Sequence, residues 1–153
     1  SKSFSLCGVR LGFAVGREAL IEGLMKVKDS YNVNRLAQAA GVAALEEIAV
    51  MRRNVDRVRA TRARLILALG RLGWLVYPSQ SNFVFARVPP PRSARECYEE
   101  LKRRKVLVRY FDRPGLDDGL RISIGTDREI AVLLRHLRDI CAPKTATRAS
   151  SRT

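Results

Sequence analysis

Histidine and tryptophan each occur once in these 153 residues and cysteine three times, and each scarcity narrows the chemistry open to the chain. The cysteines Cys7, Cys97 and Cys141 are odd in number, far apart and outside any CxxC or Cys/His cluster. That spacing argues against a zinc site and against a disulfide framework, and reduced, mostly buried thiols are expected. The lone His136 lies on the edge of a helical stripe, matches no catalytic pattern, and is expected to be structural or solvated. No apolar run approaches the roughly 20 residues that span a bilayer, and the N-terminal stretch lacks the regions of a signal peptide. A soluble protein of the cytoplasm, with no membrane partner, is the expectation. Acidic residues are also few, 15 against 29 lysines and arginines, which leaves a net charge of +14. Clustered, that charge would point to nucleic acid. Instead, the arginines interleave with alanine and leucine, as in "MRRNVDRVRATRARL", which reads as a solvated helix face. No RNA-recognition aromatic motif or zinc-finger spacing accompanies it, so a nucleic-acid partner is not expected. A basic nucleic-acid-binding module survives only as an alternative resting on charge and tail.

Helical periodicity is clearest from Arg17 to about Lys28, with Leu20, Ile21, Leu24 and Met25 on one stripe. It resumes from Asn34 through Leu72, too long for one globular helix. A short, tightly packed helix around Gly41 is expected there. Near Glu46 a longer one follows, carrying Met51, Val55, Val58, Leu65, Leu69 and Leu72, and Gly73 closes it. From Trp74 the period falls to two: "WLVYP", "NFVFARV", "VLVRYF" and "LRISIG" read as strands. Two helices between and after them open on capping boxes, Ser93-x-x-Glu96 and Thr126-x-x-Glu129. The order describes a small α+β layer with helices over one sheet face. The tail from residue 143 to 153 has no apolar periodicity and is expected to be a disordered basic segment.

The first residues read "SKSFSLCGVRLGFAVG". A primary amine serves catalysis when it meets a carbonyl compound held by neighbouring groups. Lys2 has such neighbours: the hydroxyls of Ser1 and Ser3, a turn permitted by Gly8, and then Arg10. In a strand, Arg10, Gly12 and Ala14 would take one face and Leu11, Phe13 and Val15 the other. Arg10 would then be the long polar side chain of its face, and a guanidinium suits a phosphate dianion through paired hydrogen bonds. In "LRISIG", Leu120, Ile122 and Ile124 share the core face and leave Arg121 and Ser123 on the opposite one; Arg109 alternates with Val108 and Tyr110.

S-K-x-x-x-L-x-G-x-R-x-G, met from Ser1 to Gly12, resembles the lysine signature of the fold-type-I pyridoxal-phosphate aminotransferases of class I/II. With "DSYNVNRLAQAAGVAALE" and "LRISIGT" the likeness extends to about Cys141 and is strongest to the histidinol-phosphate aminotransferases. Cys7 stands where the family usually has alanine. The resemblance implies an α/β fold, here the end of the large domain plus the small α+β C-terminal domain. It divides the chain into 1–33 as the end of the cofactor domain, 34–73 as connecting helices, 74–142 as the small domain and 143–153 as tail. It implies that Lys2 carries pyridoxal 5'-phosphate covalently, that Arg10 binds its phosphate with Ser1 beside it, and that Arg121 and Arg109 hold the substrate's anionic end. Asn82 is similar to an asparagine near the family's cleft, and Tyr31 and Asn32 to a segment near the active site and the partner subunit.

The implied reaction interconverts histidinol phosphate and imidazole acetol phosphate with glutamate and 2-oxoglutarate, in a full-length homodimer serving histidine biosynthesis. A threonine-phosphate decarboxylase, or another class I/II aminotransferase, is the alternative within the family. Because the family's lysine lies late in its large domain, the chain is expected to be a C-terminal portion, inactive alone for want of the aspartate, the stacking aromatic and the glycine-rich phosphate turn.

Overall fold

The structure is a computed structural model, described for residues 1–142; the tail 143–153 lies outside the described residues. The described residues divide into two compact units, Ser1–Arg57 and a second beginning at Val58. Among the described residues no helix is long and apolar enough to cross a membrane, and no group of His, Cys, Asp and Glu could hold a metal ion.

The first unit carries a 3-10 turn at Cys7–Val9, helix α1 (Glu18–Val27), helix α2 (Arg35–Glu46) and the start of α3 (Ile48–Arg71). Asn34 starts α2 by accepting from the Ala37 amide at 2.8 Å, which satisfies one of the donors a helix N-terminus leaves unpaired. Leu11 lies so close over Gly41 that a Cβ there would come within 2.5 Å of its Cδ2. The glycine thus lets the residue after Arg10 dock on α2. The stripe on α1 forms at the expected spacing, yet Leu20 and Met25 are 60% and 57% exposed, and Ala37 is the one buried residue described in this unit. Sequence periodicity fixes which residues share a face; whether anything covers that face depends on neighbouring chain.

In the second unit α3 ends in a Schellman arrangement. Gly73, at φ +81°, donates to Gly70 O and Trp74 donates to Leu69 O, so the carbonyls left over by the helix find partners. Strands β1 (Leu75–Val76), β2 (Phe83–Arg87), β3 (Arg109–Tyr110) and β4 (Gly119–Ser123) form one antiparallel sheet in the order β1-β2-β4-β3. Helices α4 (Ala94–Arg103) and α5 (Asp127–Cys141) both open on complete capping boxes at Ser93/Glu96 and Thr126/Glu129. Val84 and Ala86 from β2, with Leu120 and Ile122 from β4, meet Leu65, Leu69, Cys97, Leu101, Leu133 and Leu137 in one core. The sheet is therefore covered on one face by helices, as the pattern predicts, and its other face carries Phe83, Phe85, Arg87, Arg121 and Ser123. On that face the Phe85 ring lies over Gly119, where a Cβ would come within 2.6 Å of the ring.

The cysteines are free thiols: Cys97 is buried, Cys141 half-buried and Cys7 exposed, the last contrary to expectation because little of its unit is covered. A hydrogen bond between the Cys97 and Cys141 side chains pushes the Cys97 thiol up and brings that of Cys141 down to about 6.

Candidate functional site

The uncovered sheet face concentrates the candidate chemistry of the second unit. Strands β3 and β4 pair in the register Arg109↔Arg121, so the two guanidinium-bearing residues are directly opposite cross-strand neighbours. On the neighbouring strand, Phe85 pairs with Arg121 from the other side. Like charges set opposite each other in an antiparallel pair destabilise it, and neither arginine forms an ion pair among the described residues. Aromatic rings hold them instead. Arg121 Cζ lies 5.4 Å from the centroid of Phe83 and 5.7 Å from that of Phe111, and Arg109 Cζ lies 5.3 Å from the same Phe111 ring. A guanidinium over a ring face gains about 0.5–1 kcal/mol at an exposed site while its N–H donors remain at its edge. The arrangement is two cations with donors unspent, which suits an anion that takes several hydrogen bonds at once.

Asn82 closes one end of this face: its carbonyl accepts from Ile124 N at 2.8 Å, and its side-chain oxygen accepts from the Ser81 hydroxyl at 3.3 Å. The loop before it is braced by Arg62 of α3, which donates to Ser81 O at 2.7 Å and to Gln80 Oε1 at 3.2 Å. His136 sits away from the arginines, with Nδ1 3.3 Å from an Nη of Arg104, which also pairs with Asp139.

In the first unit, the amine-bearing stretch departs from the expected strand. Among the described residues 11–15 form no strand, because no neighbouring strand is there to pair with them. Residues 2–10 make a compact double turn instead, with Ser5 N donating to Lys2 O at 3.0 Å and Val9 N to Leu6 O at 3.2 Å. Left-handed backbone falls at Ser5 (φ 56°) and Arg10 (φ 60°), and Gly8, where the turn was expected, has no positive φ. Non-glycine residues held there cost about 1–3 kcal/mol each and cluster where function demands a particular shape. Arg10 spends a donor on Cys7 O at 3.0 Å, which ties its side chain to the turn and leaves the rest of the fork open. Lys2 is exposed, as are Ser1 and Ser3, which line a cavity of about 630 Å³ against α2 together with Phe4, Leu11, Phe13 and Val42. Tyr31 stands 95% exposed on the loop between α1 and α2, and Asn32 accepts from Lys28 Nζ at 3.3 Å.

The donor set from Ser1 to Arg10, an amine, a guanidinium and hydroxyls, fits a phosphorylated aldehyde such as pyridoxal 5'-phosphate. The structure brings Arg109 and Arg121 together on one face, and places Lys2 and Arg10 at the two ends of one double turn. Sequence reasoning missed the rings of Phe83 and Phe111, although the period-two alternation that directs Arg109 also directs Phe111 to the same face.

Residues 1–137 match the model of the family described as aminotransferase class I and II. The chain is 46% identical over 140 residues to histidinol-phosphate aminotransferase 1 of a Nostoc species, covering 92% of this chain and 39% of that protein. It is 50% identical over 130 residues to the histidinol-phosphate aminotransferase of Geotalea daltonii, covering 85% of this chain and 37% of the relative. Among solved structures, the histidinol-phosphate aminotransferase of Sinorhizobium meliloti in complex with pyridoxal 5'-phosphate shares the fold. Its TM-score is 0.79 at 23% identity, over 92% of this chain and 39% of that one. The chain thus spans about two fifths of the length of the relatives it matches.

Proposed function

This chain belongs to the aminotransferase class I and II family, and from that premise we propose that it is the C-terminal portion of a pyridoxal-phosphate-dependent histidinol-phosphate aminotransferase. Residues 1–33 complete the cofactor domain, 34–73 connect, and 74–142 form the small domain. The observation that carries the substrate reading is the direct pairing of Arg109 and Arg121, which form no ion pair among the described residues, joined to relatives named histidinol-phosphate aminotransferases. The full-length protein is proposed to work as a homodimer in the cytoplasm, on small amino and keto acid substrates and not on nucleic acid. The largely uncovered apolar stripe of the first unit supports its burial against further polypeptide.

Pyridoxal 5'-phosphate, when bound, supplies the electron sink that makes a bond at the substrate's α-carbon breakable. Lys2 would hold it covalently, Arg10 would pair with its phosphate, and the Ser1 hydroxyl would add a donor. As a free amine, Lys2 Nζ would take the proton from the substrate's Cα and return it later in the transfer. Arg121 and Arg109 bind the anionic end far from that carbon and thereby orient its C–H bond, a positioning effect worth several kcal/mol. The same site takes both substrates, since each presents oxygens to a guanidinium fork: the phosphate of one engages both arginines, and the distal carboxylate of the other is satisfied by one. Asn82, at the end of the same face, and Tyr31, on its exposed loop, are the weaker candidates for substrate contact.

Assay of the full-length enzyme tests this reading. Amino transfer from histidinol phosphate to 2-oxoglutarate is expected, with Arg121→Ala raising KM for both substrates at least tenfold. Release of CO2 from threonine phosphate without transamination would transfer the assignment to a decarboxylase.

A further inference from the structure

Phe111 holds a position that the arginine pair alone does not explain. It follows β3 by one residue, is half-buried, and faces both guanidiniums at once, at 5.3 Å from Arg109 Cζ and 5.7 Å from Arg121 Cζ. Its two sequence neighbours are anchored from the helix side of the sheet. Tyr110 stacks on Tyr98 of α4 with centroids 5.9 Å apart and lies under Arg95, whose Cζ is 5.5 Å from its ring. Asp112 pairs with that same Arg95. The side chains on either side of Phe111 are thus both engaged with α4, while its own ring meets the arginines.

Two cations on paired residues repel and would spread into solvent if only their own rotamers held them. A shared ring counters this: its negative face attracts both guanidiniums, and it occupies the volume into which either could fold. We propose that Phe111 is a positioning residue for the anion site, spacing Arg109 and Arg121 so that a phosphate monoester meets two preset forks rather than two mobile side chains. Phe83 assists from the other side of Arg121, at 5.4 Å. The effect belongs to the ring and not to apolar bulk, and it bears more heavily on the doubly charged phosphate, which engages both arginines, than on a carboxylate, which one fork satisfies. This inference rests on the reading of Arg109 and Arg121 as the substrate-anion pair.

The test uses the full-length holoenzyme with Phe111→Leu, Phe111→Met and Phe111→Tyr beside Arg109→Ala and Arg121→Ala. Two readouts are taken: kcat and KM for histidinol phosphate and glutamate, and the inhibition constant of inorganic phosphate as a probe of the anion site. The ringless variants are expected to raise KM for histidinol phosphate and the phosphate inhibition constant about tenfold, glutamate KM less than threefold, and to leave kcat within twofold. Phe111→Tyr is expected to restore wild-type values. Either ringless variant that folds serves, and a general packing defect would lower kcat and thermal midpoint without selecting phosphate over carboxylate. If the arginine variants lose phosphate affinity while folded ringless variants keep it, or if Tyr fails to rescue, Phe111 is not a positioning residue and the substrate reading stands. If the arginine variants keep phosphate affinity as well, the substrate reading itself falls.

Discussion

Lys2 and Arg10 sit within one double turn yet are expected to fail differently when removed. In the proposed cofactor site Arg10 would contribute charge-assisted hydrogen bonds, each worth about 1.5–3 kcal/mol, and its side chain is already steered by the bond to Cys7 O. In the full-length enzyme, Arg10→Ala should therefore lose pyridoxal phosphate on dialysis, measured by the fall in cofactor absorbance, while the chain stays folded. On the proposed reading, Lys2→Ala removes the base as well as the covalent link. It should abolish turnover, yet retain cofactor better than Arg10→Ala because the phosphate contacts survive. Equal retention by Arg10→Ala and wild type would assign the phosphate elsewhere. The left-handed backbone at Arg10 adds a second expectation at this position: Arg10→Gly relieves strain of about 1 kcal/mol but forfeits the guanidinium, so it should be more stable than Arg10→Ala and no better at holding cofactor.

Helix α5 is joined to α3 through its first turn. Asp127 accepts from the Thr61 hydroxyl at 2.7 Å and pairs with Arg64, and Glu129 accepts from the amide and hydroxyl of Thr126 at 2.7 and 2.8 Å. The Thr61 hydrogen bond first and the Arg64 guanidinium second hold the Asp127 carboxyl below its ordinary value; the Thr126 amide and then its hydroxyl do the same for Glu129. A carboxyl depressed in the folded state stabilises above the unfolded value near pH 4, and loses that contribution as pH falls through its folded value. Asp127→Asn should therefore lower the urea midpoint at pH 7, with the gap to wild type narrowing progressively as pH falls below about 4. A gap of constant size would mean that the aspartate contributes only as a hydrogen-bonding shape.

At the scale of the whole chain, burial is divided unequally. Ala37 is the one buried residue described before position 58, whereas the second unit assembles its core from the sheet, α4, α5 and the later part of α3. Local opening follows buried apolar contact. Limited trypsin treatment of the 153-residue chain should cut at Lys and Arg between residues 10 and 57 well before it cuts between 58 and 142, although basic residues are plentiful in both. Equal rates in the two regions would show that the first unit is held by more than the burial described here.

The sequence by itself determined the elements and their faces. Period-two runs placed Arg121 opposite Leu120 and Ile122, capping boxes set the starts of α4 and α5, and Gly73 marked the end of α3, because these signals act within a few residues of backbone geometry. The motif from Ser1 to Gly12 likewise singles out Lys2 and Arg10, whose roles toward the cofactor belong to the proposal. Only the tertiary structure decided the rest. Residues 11–15 have strand alternation but no strand, since a strand exists only where another chain segment accepts its hydrogen bonds. The stripe on α1 has the spacing of a buried face but stays largely uncovered, because amphipathicity states what could be buried and only neighbours bury it. The pairing of Arg109 with Arg121 under one phenyl ring is a matter of register between segments joined by a loop. Periodicity assigns a side chain to a face, but which residue lies across from it is set by how the strands slide into place.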